Sequence, residues 1–231
     1  MDKTNCTAIY YTANVLDDKN PAFLAHTRAY LLKAIGDMPI ISVSHKPINF
    51  GTNICIGDIG RSHLNLYRQI LIGAKEAKTK YIALCEDDVL YSKEHFEYIP
   101  KPNHFAYNMC KWGIYTWIKP AVFAFKNRKV INSLICERDL MVASLEERFA
   151  KFPDESKVPL SHWADLGRQE RELGVTVRAT EEYYSKVPNI VFSHEQAFGY
   201  LGLGNRKKLE PLRAYEIPVW GKAESIMSLY E

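Results

Sequence analysis

The sequence predicts an α/β protein: a mostly parallel sheet flanked by helices, with a smaller antiparallel sheet beside it. Three observations carry that expectation. Strand-like stretches over 7–12 and 39–44 bracket a helical stretch opened by Pro21, and such a strand–helix–strand unit closes as a parallel pair with a right-handed crossover. The run from Tyr81 to Cys85 is apolar on both faces, as a strand covered on both sides must be. Three short β-like runs, 104–109, 112–118 and 121–126, are separated by turn residues and predict antiparallel strands or hairpins.

Taken in order, the first strand, Thr-Ala-Ile-Tyr-Tyr-Thr, is rich in β-branched and aromatic residues and empties into Ala13-Asn14 and a polar turn at 17–20. Asn20 is placed to cap the helix that Pro21 opens, and Gly36 to end it after Ile35. The loop 45–60, with Gly51, Asn53, Gly57, Asp58 and Gly60, is long for a compact domain, which points to function. Ser62 then caps a helix running to about Ala77, with Leu64, Tyr67, Ile70 and Leu71 or Ile72 toward the core. Beyond the β-like runs, 138–150 reads as a helix with Leu140, Ala143, Leu145 and Phe149 on its apolar side. A polar region over 151–170 holds Ser161, His162, Trp163, Asp165 and Gly167. A short strand is expected over 175–177 and another over 190–192. The tail carries Gly199, Gly202, Gly204, the basic Arg206-Lys207-Lys208 and Trp220, a pattern suited to a lid or to a solvated basic face.

Composition narrows the class. With 231 residues, 47% apolar and 25% charged, the chain is long enough to bury a proper core. The net charge of +3 is slight and no long basic run appears, so charge alone does not announce a nucleic-acid binder. Cys6, Cys55, Cys85, Cys110 and Cys136 are scattered, with no Cys-x-x-Cys pair. That argues against a disulfide framework or a zinc site and leads us to expect a cytoplasmic protein. No signal peptide and no apolar run of membrane-spanning length is evident.

The chemistry gathers at the end of the buried run. Glu86, Asp87 and Asp88 follow Cys85 without a break, and three anions there repel one another and are costly to desolvate. A divalent cation, Mn²⁺ or Mg²⁺, would offset that cost through carboxylate oxygens. Strand alternation puts Glu86 and Asp88 on one side and Asp87 on the other. The other reading is a solvated acidic loop. Thr12, Ala13 and Asn14 occupy the carboxyl end of the first strand, where a sheet of this kind receives a nucleotide. Arg61, just before a capped helix, stands where a phosphate meets a cation and helix amides together, or is an ordinary loop arginine.

The stretch Gly-Ala-Lys-Glu-Ala-Lys-Thr-Lys-Tyr-Ile-Ala-Leu-Cys-Glu-Asp-Asp, 73–88, resembles the GT-A glycosyltransferases of the family-2-like kind, with Glu86-Asp87-Asp88 as a Glu-x-Asp version of their Asp-x-Asp motif. The resemblance implies a Rossmann-like single domain over 1–231, with a nucleotide-sugar-binding half over 1–125 and an acceptor half with a lid over 126–231. It implies a nucleoside-diphosphate sugar donor, a UDP-sugar above others, and a divalent metal neutralising the leaving diphosphate. By position, Asp88 would bind the metal, Glu86 would bind it through water or contact the ribose, and Asp87 would face the sugar. His194, after the extended Ile190-Val191-Phe192, resembles the histidine such enzymes add to the metal, although a lone histidine after a strand is also a common core residue.

An inverting transfer, the one expected, needs a carboxylate to take the acceptor proton, whereas the alternative, a retaining transfer, would not need this base. Asp139, Glu137, Asp165 and Glu195 are available, and Asp139, opening a helix after Leu134-Ile135-Cys136, is the one we single out. Trp112, Tyr115 and Trp117 are expected on the acceptor side, as stacking faces or as core. The acceptor class stays open between a glycan, a small molecule, a protein and a hydroxymethylated base in phage-type DNA. Two other classes fit less of the pattern: a nucleotidyltransferase, and a non-catalytic carbohydrate- or nucleic-acid-binding relative.

Overall fold

The computed structural model describes residues 5–158, 165–197 and 210–231. Ser161, His162, Trp163, the glycines at 199, 202 and 204, and Arg206-Lys207-Lys208, with the lid expected there, lie outside the described residues. The centre of the fold is β1 (Cys6–Thr12), buried along its whole length. It pairs in parallel with β2 (Ile40–Ser44) on one side and β4 (Tyr81–Cys85) on the other. Among the described residues seven strands make the large sheet, in the order β10-β6-β9-β4-β1-β2-β3. The outer members are β3 (Thr52–Cys55), β6 (His104–Asn108), β9 (Leu134–Glu137) and β10 (Ala179–Tyr183). Four of its ladders are parallel, and only β9 runs against both of its neighbours, β4 and β6.

Alternation along β1 and β4 decides which helix covers which face. Ile9, Tyr11, Ile82 and Leu84 meet α3 (His63–Glu76) and α4 (Arg138–Lys151) through Leu64, Tyr67, Ile70, Met141 and Leu145. Ala8, Tyr10, Ala83 and Cys85 turn the other way, toward Leu31, Ala34 and Ile35 of α2 (Pro21–Ile35). Helices on both faces explain why β1 and β4 read as continuous apolar runs. The caps are as the residue types dictate: Asn20 accepts from the Phe23 N–H at 3.2 Å and Ser62 from the Asn65 N–H at 3.1 Å. Gly73 lets α3 lie close on the sheet, since a Cβ there would come 2.7 Å from Ile9 Cγ2.

A second sheet has the order β12-β8-β7-β11-β5, from β5 (Val89–Leu90), β7 (Lys111–Tyr115), β8 (Phe123–Phe125), β11 (Asn189–Ser193) and β12 (Arg213–Ala214). It is mostly antiparallel, with one parallel ladder between β7 and β11. Its Leu90, Ile114, Phe123, Ile190 and Phe192 pack with Phe23 and Leu24 of α2 and with α6 (Ala223–Met227), which follows the short α5 (Glu170–Leu173).

Several elements depart from the sequence expectation. The run 104–109 is no hairpin partner of the next one: β6 joins the large sheet, and only β7 and β8 pair as a hairpin. The loop 45–60 contains β3, a half-exposed edge strand with too few apolar residues to announce itself. The polar turn after Asn14 is a short helix, α1 (Val15–Lys19). The expected strand over 175–177 lies instead at β10. The inner side of α4 is Met141, Ser144, Leu145 and Arg148, and Ala143 faces solvent. Arg148 is buried because its Nη2 meets the equally buried Glu170 at 3.0 Å, so neither charge is left uncompensated. Trp112 packs edge-on against Phe125, and Trp220 donates to the Pro188 carbonyl at 2.8 Å, so both help to hold the smaller sheet. Among the described residues no helix is long and apolar enough to cross a membrane.

Candidate active site

From β1 the chain steps outward through α2 to β2 and β3, then returns through α3 to β4 on the opposite side of β1. The order therefore reverses between β1 and β4, and the carboxyl ends of those two strands flank the crevice where open α/β sheets bind ligands. Thr12, Ala13 and Asn14 leave β1 there, and Glu86, Asp87 and Asp88 leave β4.

The three carboxylates diverge. Glu86 is held by two long-range donors, the Tyr11 hydroxyl on Oε1 at 2.9 Å and Asn132 Nδ2 on Oε2 at 2.8 Å. Asp87 accepts from the Thr12 hydroxyl at 2.7 Å. Asp88 faces His194, whose Nε2 stands 3.5 Å from Asp88 Oδ2. Burial, then the neighbouring charge of Asp88, pushes the Glu86 carboxyl up to about 8, against the lowering effect of Asn132 and Tyr11. The same two causes push Asp87 up to about 6, with Thr12 and His194 opposing. Ionising all three carboxyls together at this buried edge is therefore costly, a cost that a bound cation would offset.

Two members of that cluster carry polar atoms with no hydrogen-bond partner among the described residues. Among the described residues, Asp88 Oδ1 and both ring nitrogens of His194 are buried without a hydrogen-bond partner. The 3.5 Å between Asp88 Oδ2 and His194 Nε2 is long for a hydrogen bond. It is shorter than the ~4.2 Å that two ligands, each about 2.1 Å from one ion, can span. Asp88 and His194 thus fit a divalent cation as a two-residue pair. Among the described residues no three histidine, cysteine, aspartate or glutamate side chains converge as a complete ligand set. A pair suits Mg²⁺-like ions, which keep waters and take substrate phosphates as further ligands.

The other expected contacts are distributed as follows. The Asn14 side chain is consumed inside the protein: Oδ1 accepts from the Lys46 N–H at 2.8 Å and Nδ2 donates to Asp17 Oδ2 at 3.1 Å. With its φ of 61°, Asn14 joins the exits of β1 and β2, and its side-chain oxygen and one of its two amide N–H groups are engaged there. Ala13 lies half-buried between Thr12 and Asn14. Arg61 borders a surface cleft of about 550 Å³ with Ser62, Asn65 and Arg68, and donates to the Gln196 carbonyl, two residues past His194. Asp139 is not brought to this edge. β9 runs antiparallel to β4 with Glu137 opposite Tyr81, so α4 begins at the amino end of β4, roughly 17 Å from Glu86 at about 3.3 Å per residue. Its side chain is 84% exposed and pairs with Arg138. Of the other acids, Glu137 faces Lys80, Asp165 pairs with Arg168 at 2.8 Å, and Glu195 is exposed beside His194.

Sequence reasoning missed the groups that hold this edge together. Gln69 lies buried on the sheet side of α3, its Nε2 donating to the carbonyls of Thr12 at 2.9 Å and Val43 at 3.0 Å. A polar residue on the inner face of an amphipathic helix was the available signal. Tyr11 and Asn132 gave none, because their value depends on meeting Glu86.

No family model and no curated protein matches the sequence. Solved structures to which the chain is similar include a putative protein (Aq1419) from Aquifex aeolicus VF5, at 12% identity and a TM-score of 0.48 over 89% of this chain and 95% of that one. Another is a glycosyltransferase involved in glycosylation of the major capsid of PBCV-1, at 7% identity and a TM-score of 0.46 over 80% and 91%. Residues 1–349 of S. aureus TarS match at 9% identity and a TM-score of 0.38 over 81% and 60%. Likenesses at this level carry no argument about chemistry, which rests on the site itself.

Proposed function

We propose that the protein is a metal-dependent glycosyltransferase that moves a sugar from a nucleoside-diphosphate donor, a UDP-sugar above others, to a hydroxyl acceptor. The observation that carries this reading is the Asp88–His194 pair, unpartnered in hydrogen bonds among the described residues, at the point where the strand order reverses. Asp88 and His194 would hold Mn²⁺ or Mg²⁺, which supplies charge neutralisation for a departing diphosphate. Thr12 orients Asp87 on the other side of the same edge. Asp87, the middle residue of the acidic triplet and held by the Thr12 hydroxyl, is assigned by that position to the sugar side. Glu86 serves by holding Tyr11 and Asn132 in place. Arg61 and the amino end of α3 supply positive potential toward the phosphates.

Calorimetry with UDP, with and without Mn²⁺, tests the reading in wild type and in Asp88→Asn. Metal-dependent UDP binding that the substitution abolishes supports it. Equal binding in both proteins removes the metal assignment, and pyrophosphate release from nucleoside triphosphates would instead identify a nucleotidyltransferase.

A further inference from the structure

A histidine that ligates a metal is ordinarily oriented by a hydrogen bond from its other ring nitrogen to a carboxylate or carbonyl. His194 has no such bond: Nδ1 is buried and without a partner among the described residues. Its backbone is fixed at the end of β11, and among the described residues what restrains rotation of the ring is packing. The ring it meets belongs to Tyr230, with centroids 5.6 Å apart and planes 37° from parallel.

Tyr230 is itself firmly placed. It packs edge-on against Phe23 at 5.0 Å and lies over Phe192 at 6.3 Å, and those two rings meet each other at 4.6 Å. Its carbonyl accepts from Asn20 Nδ2 at 2.6 Å, while Oδ1 of the same amide caps α2 through the Phe23 N–H. One asparagine thus ties the start of α2 to the residue that walls the imidazole. The turn after α6 completes the hold, with the Tyr230 N–H donating to the Met227 carbonyl at 2.9 Å.

We propose that Tyr230 is a positioning residue for the Asp88–His194 pair, its ring fixing the imidazole with Nε2 toward Asp88. The inference rests on the reading of that pair as a metal site and adds a residue from the far end of the fold to it. Steric confinement by an aromatic ring replaces the missing hydrogen bond, so the ring matters and the hydroxyl does not. Asn20 acts at one remove, by anchoring the Tyr230 backbone.

The test is a Mn²⁺ titration of the whole protein followed by electron paramagnetic resonance of the free ion, with thermal melts as a folding control. His194→Ala calibrates the loss of the ligand itself. Tyr230→Leu, which keeps apolar bulk without the ring, should weaken Mn²⁺ binding about tenfold, within the range found when a ligand loses its outer support. Tyr230→Phe should restore it to within about twofold. Asn20→Asp keeps a competent helix cap but loses the donor to Tyr230, and should weaken binding in the same direction. Wild-type affinity in Tyr230→Leu alongside a weakened His194→Ala overturns the inference and leaves the metal pair standing. A Tyr230→Phe variant as weak as Tyr230→Leu overturns it too, by making the hydroxyl the active group. Wild-type affinity in His194→Ala removes the metal reading itself.

Discussion

His194 Nε2 lies 3.5 Å from Asp88 Oδ2, although one residue follows β11 and the other precedes β5. The strands that carry them are hydrogen-bonded neighbours, with Val191 opposite Val89 and the Phe192 N–H donating to the Asp88 carbonyl at 2.9 Å. The two side chains are therefore brought together by backbone pairing, and their own interaction is too long to be the cause. Among the described residues each keeps a polar atom without a hydrogen-bond partner.

His194→Ala should then cost metal affinity and little stability, because neither removed nitrogen has a hydrogen-bond partner among the described residues. Mn²⁺ affinity is expected to fall at least about tenfold, with the melting temperature nearly unchanged apart from the cavity left beside Tyr230. Calorimetry and thermal melts on the same samples check this. A large drop in melting temperature with intact affinity would make His194 a core residue.

The pH dependence of stability follows from Glu86 and Asp87. Both carboxyls are raised, Glu86 from 4.5 to about 8 and Asp87 from 3.8 to about 6, so the folded state holds protons that the unfolded chain releases. Their contribution is fully present below about pH 4 and is lost as pH rises toward 8. Metal-free protein should accordingly melt at progressively lower temperature between pH 5 and 8. Glu86→Gln should flatten the upper part of that decline, and an unchanged slope would show that the acidic edge is not its source.

Asn132→Ala removes a donor to Glu86 Oε2 from a site 46 residues distant in sequence. Leaving that oxygen unsatisfied should destabilise the protein by about 1–3 kcal/mol at neutral pH. Chemical denaturation with an unchanged m-value checks it, and no loss would mean that water replaces the amide.

Gly73→Ala tests how closely α3 must approach the sheet. Its Cβ would meet Ile9 Cγ2 at 2.7 Å and Val43 Cγ2 at 3.3 Å, both on rigid strands. A cost of about 1–3 kcal/mol is expected from overpacking, together with weaker nucleotide binding as Gln69 shifts away from Thr12 and Val43. A crystal structure of the variant showing α3 unmoved would defeat the second half of that expectation.

Asp139→Asn should leave turnover within about twofold of wild type, since its exposed carboxylate stands at the opposite edge of the sheet from the acidic residues. A donor-hydrolysis assay decides it; a large loss of turnover would require the acceptor to reach that edge.

Much of the frame was legible before any coordinates. Period and composition located β1, β2 and β4, the Asn20 and Ser62 caps set the starts of α2 and α3, and the three acids after Cys85 marked the working edge. These are local signals: apolar runs, turn chemistry and capping depend on neighbours a few residues apart. What the acids do was decided by tertiary structure. Alternation alone put Glu86 and Asp88 on a shared face, yet Tyr11 and Asn132 draw Glu86 aside and Thr12 draws Asp87, leaving Asp88 to His194. Asp139 looked well placed after a strand, but the antiparallel register of β9 sends that strand's end to the wrong edge. Strand direction, and the partner a buried polar atom finds across the fold, are set by long-range pairing and desolvation, which no short window of sequence contains.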